Sequence, residues 1–171
     1  HLSGRPRAEL AAQRMRDIFQ RLFIDGEADR LKPLDALTLY EQFRELTPTG
    51  QRGNRMLSKL VDRLVNVELL DSAARLLANQ VDHRLSGGRK AQAGTRLASV
   101  RLLNGQPDAA LEALERSRID EFSADVKRRR RHLRVRALAE RGDRQRALSL
   151  LGGDDSEDGC PLHRRLCERS E

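Results

Sequence analysis

A run of basic residues, Lys127 through His132, has the side chains best suited to binding chemistry in this sequence. Guanidinium groups form charge-assisted hydrogen bonds with phosphates and carboxylates, so the run could bind a nucleic acid or an acidic peptide. The alternative is a solvated helix face in an arginine-rich chain. If the run is helical, its side chains point all round the axis, so Arg130 must lay its aliphatic stem along the apolar stripe. Aromatic residues are only 3% of the chain, which weakens the nucleic-acid interpretation because stacking on bases needs them.

A second group of reactive side chains comprises Cys160, His163 and Cys167. A structural zinc site needs four ligands, and this group supplies three. In a helix, two cysteines seven residues apart are separated by about 10 Å along the axis, which is beyond the reach of a disulfide. We therefore predict no metal site and no cofactor, and we interpret the cysteines as exposed thiols.

No catalytic motif is recognisable in the sequence. It contains no Gly-rich phosphate-binding loop, no zinc-protease helix motif and no calcium-binding loop. His83 follows Asp82, but the sequence places no Ser or Cys nucleophile with them. We therefore predict no catalytic residues and a protein that is not an enzyme.

The composition favours an all-α fold. The chain has 171 residues, 38% of them hydrophobic, and it is rich in Leu, Ala, Arg and Glu and poor in β-branched residues. The net charge of +7 is compatible with a nucleic acid or another acidic partner, but it does not distinguish them. No apolar run is long enough to cross a membrane. If the chain is complete, we expect a cytoplasmic protein. The sequence does not begin with Met, which suggests a fragment of a longer protein, and for a fragment we predict no location.

A helix–turn–helix corner recurs in the sequence. Gly105 is followed five residues later by Ala110, and Gly142 in the same way by Ala147. Gly ends a helix by taking the left-handed conformation, and a small Ala lets the next helix pack closely. A weaker copy without Gly contains Ala74, so the three alanines are 36 and 37 residues apart. Such an interval predicts helix pairs stacked side by side.

Apolar spacing and helix-breaking residues predict eight helices in four pairs, over residues 6–46, 51–85, 89–118 and 124–151. The pairs form one helical-repeat domain, residues 1–151, followed by an acidic linker and a short C-terminal segment, residues 152–171. Gly94, inside the fifth helix, costs about 1 kcal/mol relative to Ala, which predicts a close helix–helix contact there. The first helix is predicted to be amphipathic, with an apolar stripe of Ala8, Ala11, Ala12, Met15, Ile18, Phe19 and Leu22.

The two Gly corners, with Leu97 and Ala98 ahead of the first, resemble the middle of the tetratricopeptide repeat, whose period is about 34 residues. The resemblance covers roughly residues 51–151. It departs from the family where Gly94 and Arg131 stand at the early aromatic position. It implies an α-solenoid of antiparallel helix pairs, a right-handed superhelix whose concave groove binds peptides. In the register of that family, the groove residues are Lys59, Arg63, Thr95, Ser99, Arg129, His132 and Arg136.

Together, these features predict a non-enzymatic scaffold for protein–protein interaction that binds an acidic or extended peptide in a basic groove. One alternative is a nucleic-acid-binding module that uses the Arg-rich helix 124–141. Another is a structural or dimerising segment, which would make the protein a homo-oligomer. A competing occupant of the basic groove is the acidic stretch of residues 154–158, folded back onto it.

Overall fold

A computed structural model describes residues 5–152 of the chain. This part is all-α and contains no strand, which confirms the predicted fold class at that level. Its helices are α1 (Arg5–Phe23), α2 (Pro33–Gln42), α3 (Gly50–Asn66), α4 (Leu70–Asn79), α5 (Gly87–Leu103), α6 (Pro107–Arg116), α7 (Ala124–Arg141) and α8 (Arg144–Leu151). Cys160, His163, Cys167 and the acidic stretch lie outside the described residues.

The second halves of two predicted helix pairs are less regular than the sequence indicates. The helix expected to reach residue 46 ends at Gln42 and continues as a short 3-10 helix, Arg44–Leu46. The helix expected to reach residue 85 ends at Asn79 and continues as one turn of π-helix, Gln80–Arg84. Helix ends commonly change their hydrogen-bonding pitch, and apolar spacing does not report this.

Contacts along the chain define two compact units, an N-terminal unit up to Leu69 and a C-terminal unit from Leu70 onward. In the N-terminal unit, α2 packs on α3, and α1 packs on a short 3-10 helix, Glu27–Arg30. In the C-terminal unit, each helix from α4 to α8 packs on the next, and α5 also contacts α7. The single domain expected over residues 1–151 stays a prediction.

Aromatic packing determines which side of α1 faces the core of the N-terminal unit. The rings of Phe19 and Phe23 lie 4.8 Å apart, and Phe23 meets Tyr40 of α2 edge-on at 6.4 Å. Large rings bury the most apolar area, so they turn the helix toward its partner. As a result, Met15 and Ile18 of the expected stripe remain 45% and 52% exposed. Of the expected stripe, Phe19 is buried, Ala12 and Leu22 are half-buried and the other four residues are exposed, so most of the stripe does not face this core.

Three corners between helices share one backbone geometry. Glu68, Gly105 and Gly142 are left-handed, with φ of 61°, 67° and 96°. At each corner, the next amide donates to the carbonyl five residues earlier. The N···O distance is 2.9 Å for Leu69 to Leu64, for Gln106 to Arg101 and for Asp143 to Leu138. This is the hydrogen bond of a helix-ending Schellman turn, as the Gly-containing corners predict.

The left-handed corners also show which residues of the three repeats correspond, and this alignment differs by one residue from the one based on the alanines. The left-handed residues Glu68, Gly105 and Gly142 are 37 residues apart in each step. In that register, Ala73 corresponds to Ala110 and Ala147, and all three are wholly buried. Ala74, which the sequence pattern aligns with them, is the equally buried neighbour of Ala73. Because two adjacent alanines are both suited to close packing, the sequence could not distinguish them.

The helices that precede these corners begin at the same interval. Their first residues are Gly50, Gly87 and Ala124, again 37 apart. Each follows a hydroxyl residue in the extended conformation: Thr49, Ser86 and Ser123. None of the three side chains forms a capping hydrogen bond, so what the three positions share is the residue type and the extended backbone before the first helical turn.

Glu68 offers a direct test of the corner geometry. It takes the left-handed conformation that costs a residue with a Cβ about 1–2 kcal/mol. Glu68→Gly should therefore raise the free energy of unfolding by about 0.5–1 kcal/mol, once the extra freedom of Gly in the unfolded chain is subtracted. Gly142→Ala should lower it by a similar amount. Urea unfolding followed by circular dichroism measures both. A loss of stability in Glu68→Gly would contradict the assignment.

Candidate functional site

Helix α7 presents a basic face opposite its buried side. Leu133, Ala137 and Leu138 are among the residues packed into the C-terminal unit. Spacings of three and four residues place three arginines and one histidine together on the other side of the helix. We call this group the α7 basic face: Arg128, Arg129, His132 and Arg136. Three of the predicted groove residues, Arg129, His132 and Arg136, are therefore on one surface.

Ion pairs occupy the two ends of the α7 basic face and leave its middle open. Arg128 lies 2.8 Å from the Asp125 carboxylate, and Arg136 lies 2.7 Å from Glu140. Arg129 and His132, between them, are exposed and form no ion pair with any residue of the described part. An exposed guanidinium without an ion pair keeps its donors for an external acceptor, and an exposed imidazole offers a ring N–H beside it. The open middle is thus suited to bind a carboxylate or another anion.

The inner side of α7 carries a buried guanidinium, that of Arg130, for which the sequence predicts burial of the aliphatic stem alone. Arg130 is only 7% exposed, and its guanidinium is enclosed together with its stem. Its Nη1 donates to the Ser117 hydroxyl at 2.9 Å and to the Thr95 hydroxyl at 3.3 Å. Nη1 also lies 3.3 Å from the Ala91 carbonyl, and Nη2 donates to the Leu114 carbonyl. Arg130 therefore joins α5, α6 and α7.

Electrostatics around Arg130 show how a buried cation is tolerated. Burial lowers the pKa of its guanidinium, the positive charge of Arg134 lowers it further, and Glu115 raises it. The guanidinium also sits 4.6 Å from the centre of the Phe122 ring, a favourable cation–π position. Hydroxyl, carbonyl and ring contacts together replace the water that a guanidinium loses on burial.

The neighbouring Arg131 has a related role on the other side of α7. It donates to the carbonyl of Leu150, in the last turn of α8, at 2.6 Å. Arg130 contacts the Leu114 carbonyl, near the end of α6, in a similar way. Carbonyls at helix ends have no partner within the helix and carry partial negative charge, so an arginine there stabilises the helix. Two members of the basic run thus hold adjacent helices.

Gly94 allows α5 and α6 to approach closely beneath this network. A Cβ built on Gly94 would lie 1.9 Å from the Ser117 oxygen and 2.0 Å from its Cβ. Ser117 is wholly buried, and its hydroxyl donates to the Ala113 carbonyl at 2.7 Å while it accepts from Arg130. The close contact predicted at Gly94 is confirmed, and its partner is a polar residue.

Thr95 and Ser99 on α5 differ in their placement. Thr95 is 4% exposed, its hydroxyl donates to the Ala91 carbonyl at 2.7 Å, and it accepts from Arg130. The structure thus corrects the surface position predicted for Thr95, because its hydroxyl is engaged inside the unit. Ser99 is half-buried. A one-residue change of register turns a helical side chain by about 100°. A position transferred from a resemblance can therefore be buried even when its neighbours on the same helix are exposed.

The two remaining predicted groove residues lie on α3, in the N-terminal unit. Lys59 is exposed. Arg63 donates to the Ala28 carbonyl at 2.9 Å and to the Leu31 carbonyl, and it lies 3.9 Å from the Asp29 carboxylate. Arg63 thus ties α3 to the segment between α1 and α2. Its donors are directed to its own unit.

Sequence reasoning missed the polar network, although its members carried a signal. Thr95, Ser117 and Arg130 are all polar residues at positions where helical periodicity calls for apolar ones. A buried polar side chain needs partners, so several of them on successive helices indicate that they meet. Only the stem of Arg130 was predicted to be covered.

Comparison of the chain with protein-family models, with curated proteins and with solved structures finds no match. Within the described residues, no three His, Cys, Asp or Glu side chains come close enough to hold a metal ion. None of the described helices combines the length and the apolar character needed to span a bilayer.

Proposed function

We propose that the chain is a helical-repeat scaffold, similar to tetratricopeptide-repeat proteins, and that it binds an acidic peptide segment on the α7 basic face. The observation that carries this proposal is the pair Arg129 and His132, which are exposed and form no ion pair within the described part, between two arginines that each pair with a carboxylate of α7 itself. The role is binding, without catalysis.

Regular intervals support the repeat interpretation. Helix starts and left-handed corners recur every 37 residues, and so does one contact between helices. Asn104, at the end of α5, donates to Asp71 in the first turn of α4 at 2.8 Å. Arg141, at the end of α7, lies 3.3 Å from Asp108 in the first turn of α6. A contact that recurs from one repeat to the next is typical of solenoids, in which each repeat packs only on its neighbours.

Charge and composition favour a peptide over a nucleic acid as the occupant. None of the five aromatic side chains of the chain, four Phe and one Tyr, is exposed: all are buried or half-buried. Single strands are bound largely through stacking on aromatic rings. The α7 basic face would therefore supply charge without a stacking surface, a combination that suits carboxylate side chains.

A binding titration with a fluorescein-labelled oligoglutamate peptide tests this proposal. The double reversal Arg129→Glu/Arg136→Glu should weaken binding by about tenfold or more, because it replaces attraction by repulsion at the open middle and at one end of the face. Arg75→Glu/Arg146→Glu makes the same change in net charge on α4 and α8, and it should weaken binding by less than about twofold. Equal losses in the two variants would leave general charge attraction as the explanation.

A parallel titration with generic duplex and single-stranded DNA distinguishes peptide binding from the alternative function, nucleic-acid binding. Electrostatic binding to nucleic acid falls steeply with salt, in proportion to the number of phosphates contacted. Tight DNA binding that persists at physiological salt and depends on Arg129 and Arg136, together with no binding of oligoglutamate, would replace the peptide proposal by the nucleic-acid one.

A further inference from the structure

A different surface, on α1 in the N-terminal unit, has the spacing of a helix-docking seam. Ala8, Ala11, Met15 and Ile18 follow one another at intervals of three, four and three residues and form one line along the helix. All four are exposed, Met15 by 45% and Ile18 by 52%. This line, which we call the α1 seam, lies beside the side of α1 that carries the buried Phe19 and Phe23, because Phe19 is one helical turn from Met15.

A row of arginines borders the α1 seam. Arg7, Arg14 and Arg21 directly precede Ala8, Met15 and Leu22, and they are seven residues apart. All three are exposed, and none forms an ion pair with a described residue. In paired helices, the positions that flank the apolar seam recur every seven residues and choose the partner through charge.

We propose that the α1 seam docks an amphipathic helix of a partner protein whose own apolar seam is flanked by acidic residues. Charge complementarity at a matching interval favours this partner. A helical partner can place one acidic side chain every seven residues, which is the interval of Arg7, Arg14 and Arg21. The two alanines leave room for the larger seam residues of the partner, while Met15 and Ile18 provide apolar area.

The same arginines disfavour a second copy of the chain as the occupant. In an antiparallel pair, the arginine rows of two α1 helices would face each other and repel. In a parallel pair, each row would face Ala12 and Phe19, which bring no opposite charge. A lipid surface is also a poorer occupant, because membrane binding scales with inserted apolar area and the seam has only two large side chains.

Titration of the full chain with two synthetic helical peptides tests the proposal. Both peptides carry Leu at the seam positions; one has Glu and the other Lys at the flanking positions. The Glu peptide should bind at least about tenfold more tightly than the Lys peptide. Met15→Ser/Ile18→Ser should weaken its binding by about tenfold or more, and Arg7→Glu/Arg14→Glu/Arg21→Glu should reverse the preference.

Control variants separate this surface from others. Leu34→Ser removes an equally exposed apolar side chain, 56% exposed, from α2 of the same unit and should leave binding unchanged. Because the α7 basic face is itself proposed to bind acidic peptides, the seam variant is also made in the Arg129→Glu/Arg136→Glu background, where Met15→Ser/Ile18→Ser should still weaken binding of the Glu peptide by about tenfold or more. If Arg129→Glu/Arg136→Glu loses the Glu peptide while Met15→Ser/Ile18→Ser leaves its binding unchanged, the α7 basic face is its site and the α1 proposal is overturned while the proposed function stands. Equal binding of both peptides would overturn it as well.

Two further measurements address the other occupants. Sedimentation of the full chain should show no self-association that Met15→Ser/Ile18→Ser abolishes. Vesicles of phosphatidylcholine and phosphatidylserine should not retain the chain through the α1 seam. A dimer that disappears in the seam variant, or retention by vesicles that this variant loses, would overturn the proposal in favour of a second copy or a lipid surface.

Discussion

Replacement of Arg130 by methionine should lower the free energy of unfolding by about 2–4 kcal/mol. Methionine has a similar length and fills most of the space, but it donates no hydrogen bond. The Ser117 hydroxyl, the Thr95 hydroxyl and the Leu114 carbonyl would all lose a donor inside the unit. Each buried polar group deprived of its partner costs about 1–3 kcal/mol, less where it keeps a second hydrogen bond. Urea unfolding followed by circular dichroism measures the change.

Arg129→Met is the matched control for this prediction. Arg129 is the adjacent residue on the same helix, but it is exposed and has no ion pair in the described part. Exposed substitutions of this kind usually change stability by no more than about 0.5 kcal/mol. Equal stability in the two variants would show that the network around Arg130 contributes nothing, and that the burial of its guanidinium has been misassigned.

The effect of Arg130 extends to the proposed binding surface. A guanidinium fixed between α5 and α6 sets the rotation of α7 about its own axis. That rotation decides which other cations of the basic run face outward. Arg129 and His132 are exposed because Arg130 and Arg131 are directed inward, toward the ends of α6 and α8. A weakened network should therefore reduce the affinity for oligoglutamate even though Arg130 itself does not touch the peptide.

The backbone plan of the molecule is largely predictable from local sequence signals. Pro107 occupies the first turn of α6, where proline is favoured, Gly142 ends α7 in the left-handed conformation, and the bounds of α7 agree with the prediction at both ends. Such features depend on residues a few positions apart, which a sequence displays directly. The left-handed Glu68 shows the limit of this approach, because its corner repeats the geometry of the other two without the Gly that revealed them.

The sequence does not predict which polar side chains are buried, because their burial depends on contacts between residues far apart in the chain. Arg130 reaches Ala91 and Thr95 across 39 and 35 positions of the chain, and Arg63 reaches Ala28 across 35. Whether an arginine faces solvent or its own fold depends on these partners, and apolar spacing does not encode them. For the same reason, the predicted groove residues Arg63 and Thr95 have their donors engaged within their own units. Arg129 and His132, which have no such partners, remain on the surface.

Addition of a single methyl group at Gly94 should lower the free energy of unfolding about as much as the loss of a buried side chain does. Gly94→Ala places a Cβ 1.9 Å from the Ser117 oxygen and 2.0 Å from its Cβ, so no rotation of Ser117 relieves the overlap. Helices α5 and α6 must move apart, and we expect the free energy of unfolding to fall by about 2 kcal/mol, after a gain of about 1 kcal/mol in helix propensity.

Gly88→Ala is the control for this substitution, because Gly88 lies in the same helix and a Cβ there meets nothing within 4 Å. It should leave stability unchanged or raise it by up to about 1 kcal/mol. Ser117→Gly removes both overlapping atoms, so Gly94→Ala should cost less in that background than in the native chain, which a double-mutant cycle measures. If the cost of Gly94→Ala were the same in both backgrounds, the close approach of α5 to α6 at Ser117 would not be the reason for a glycine at this position.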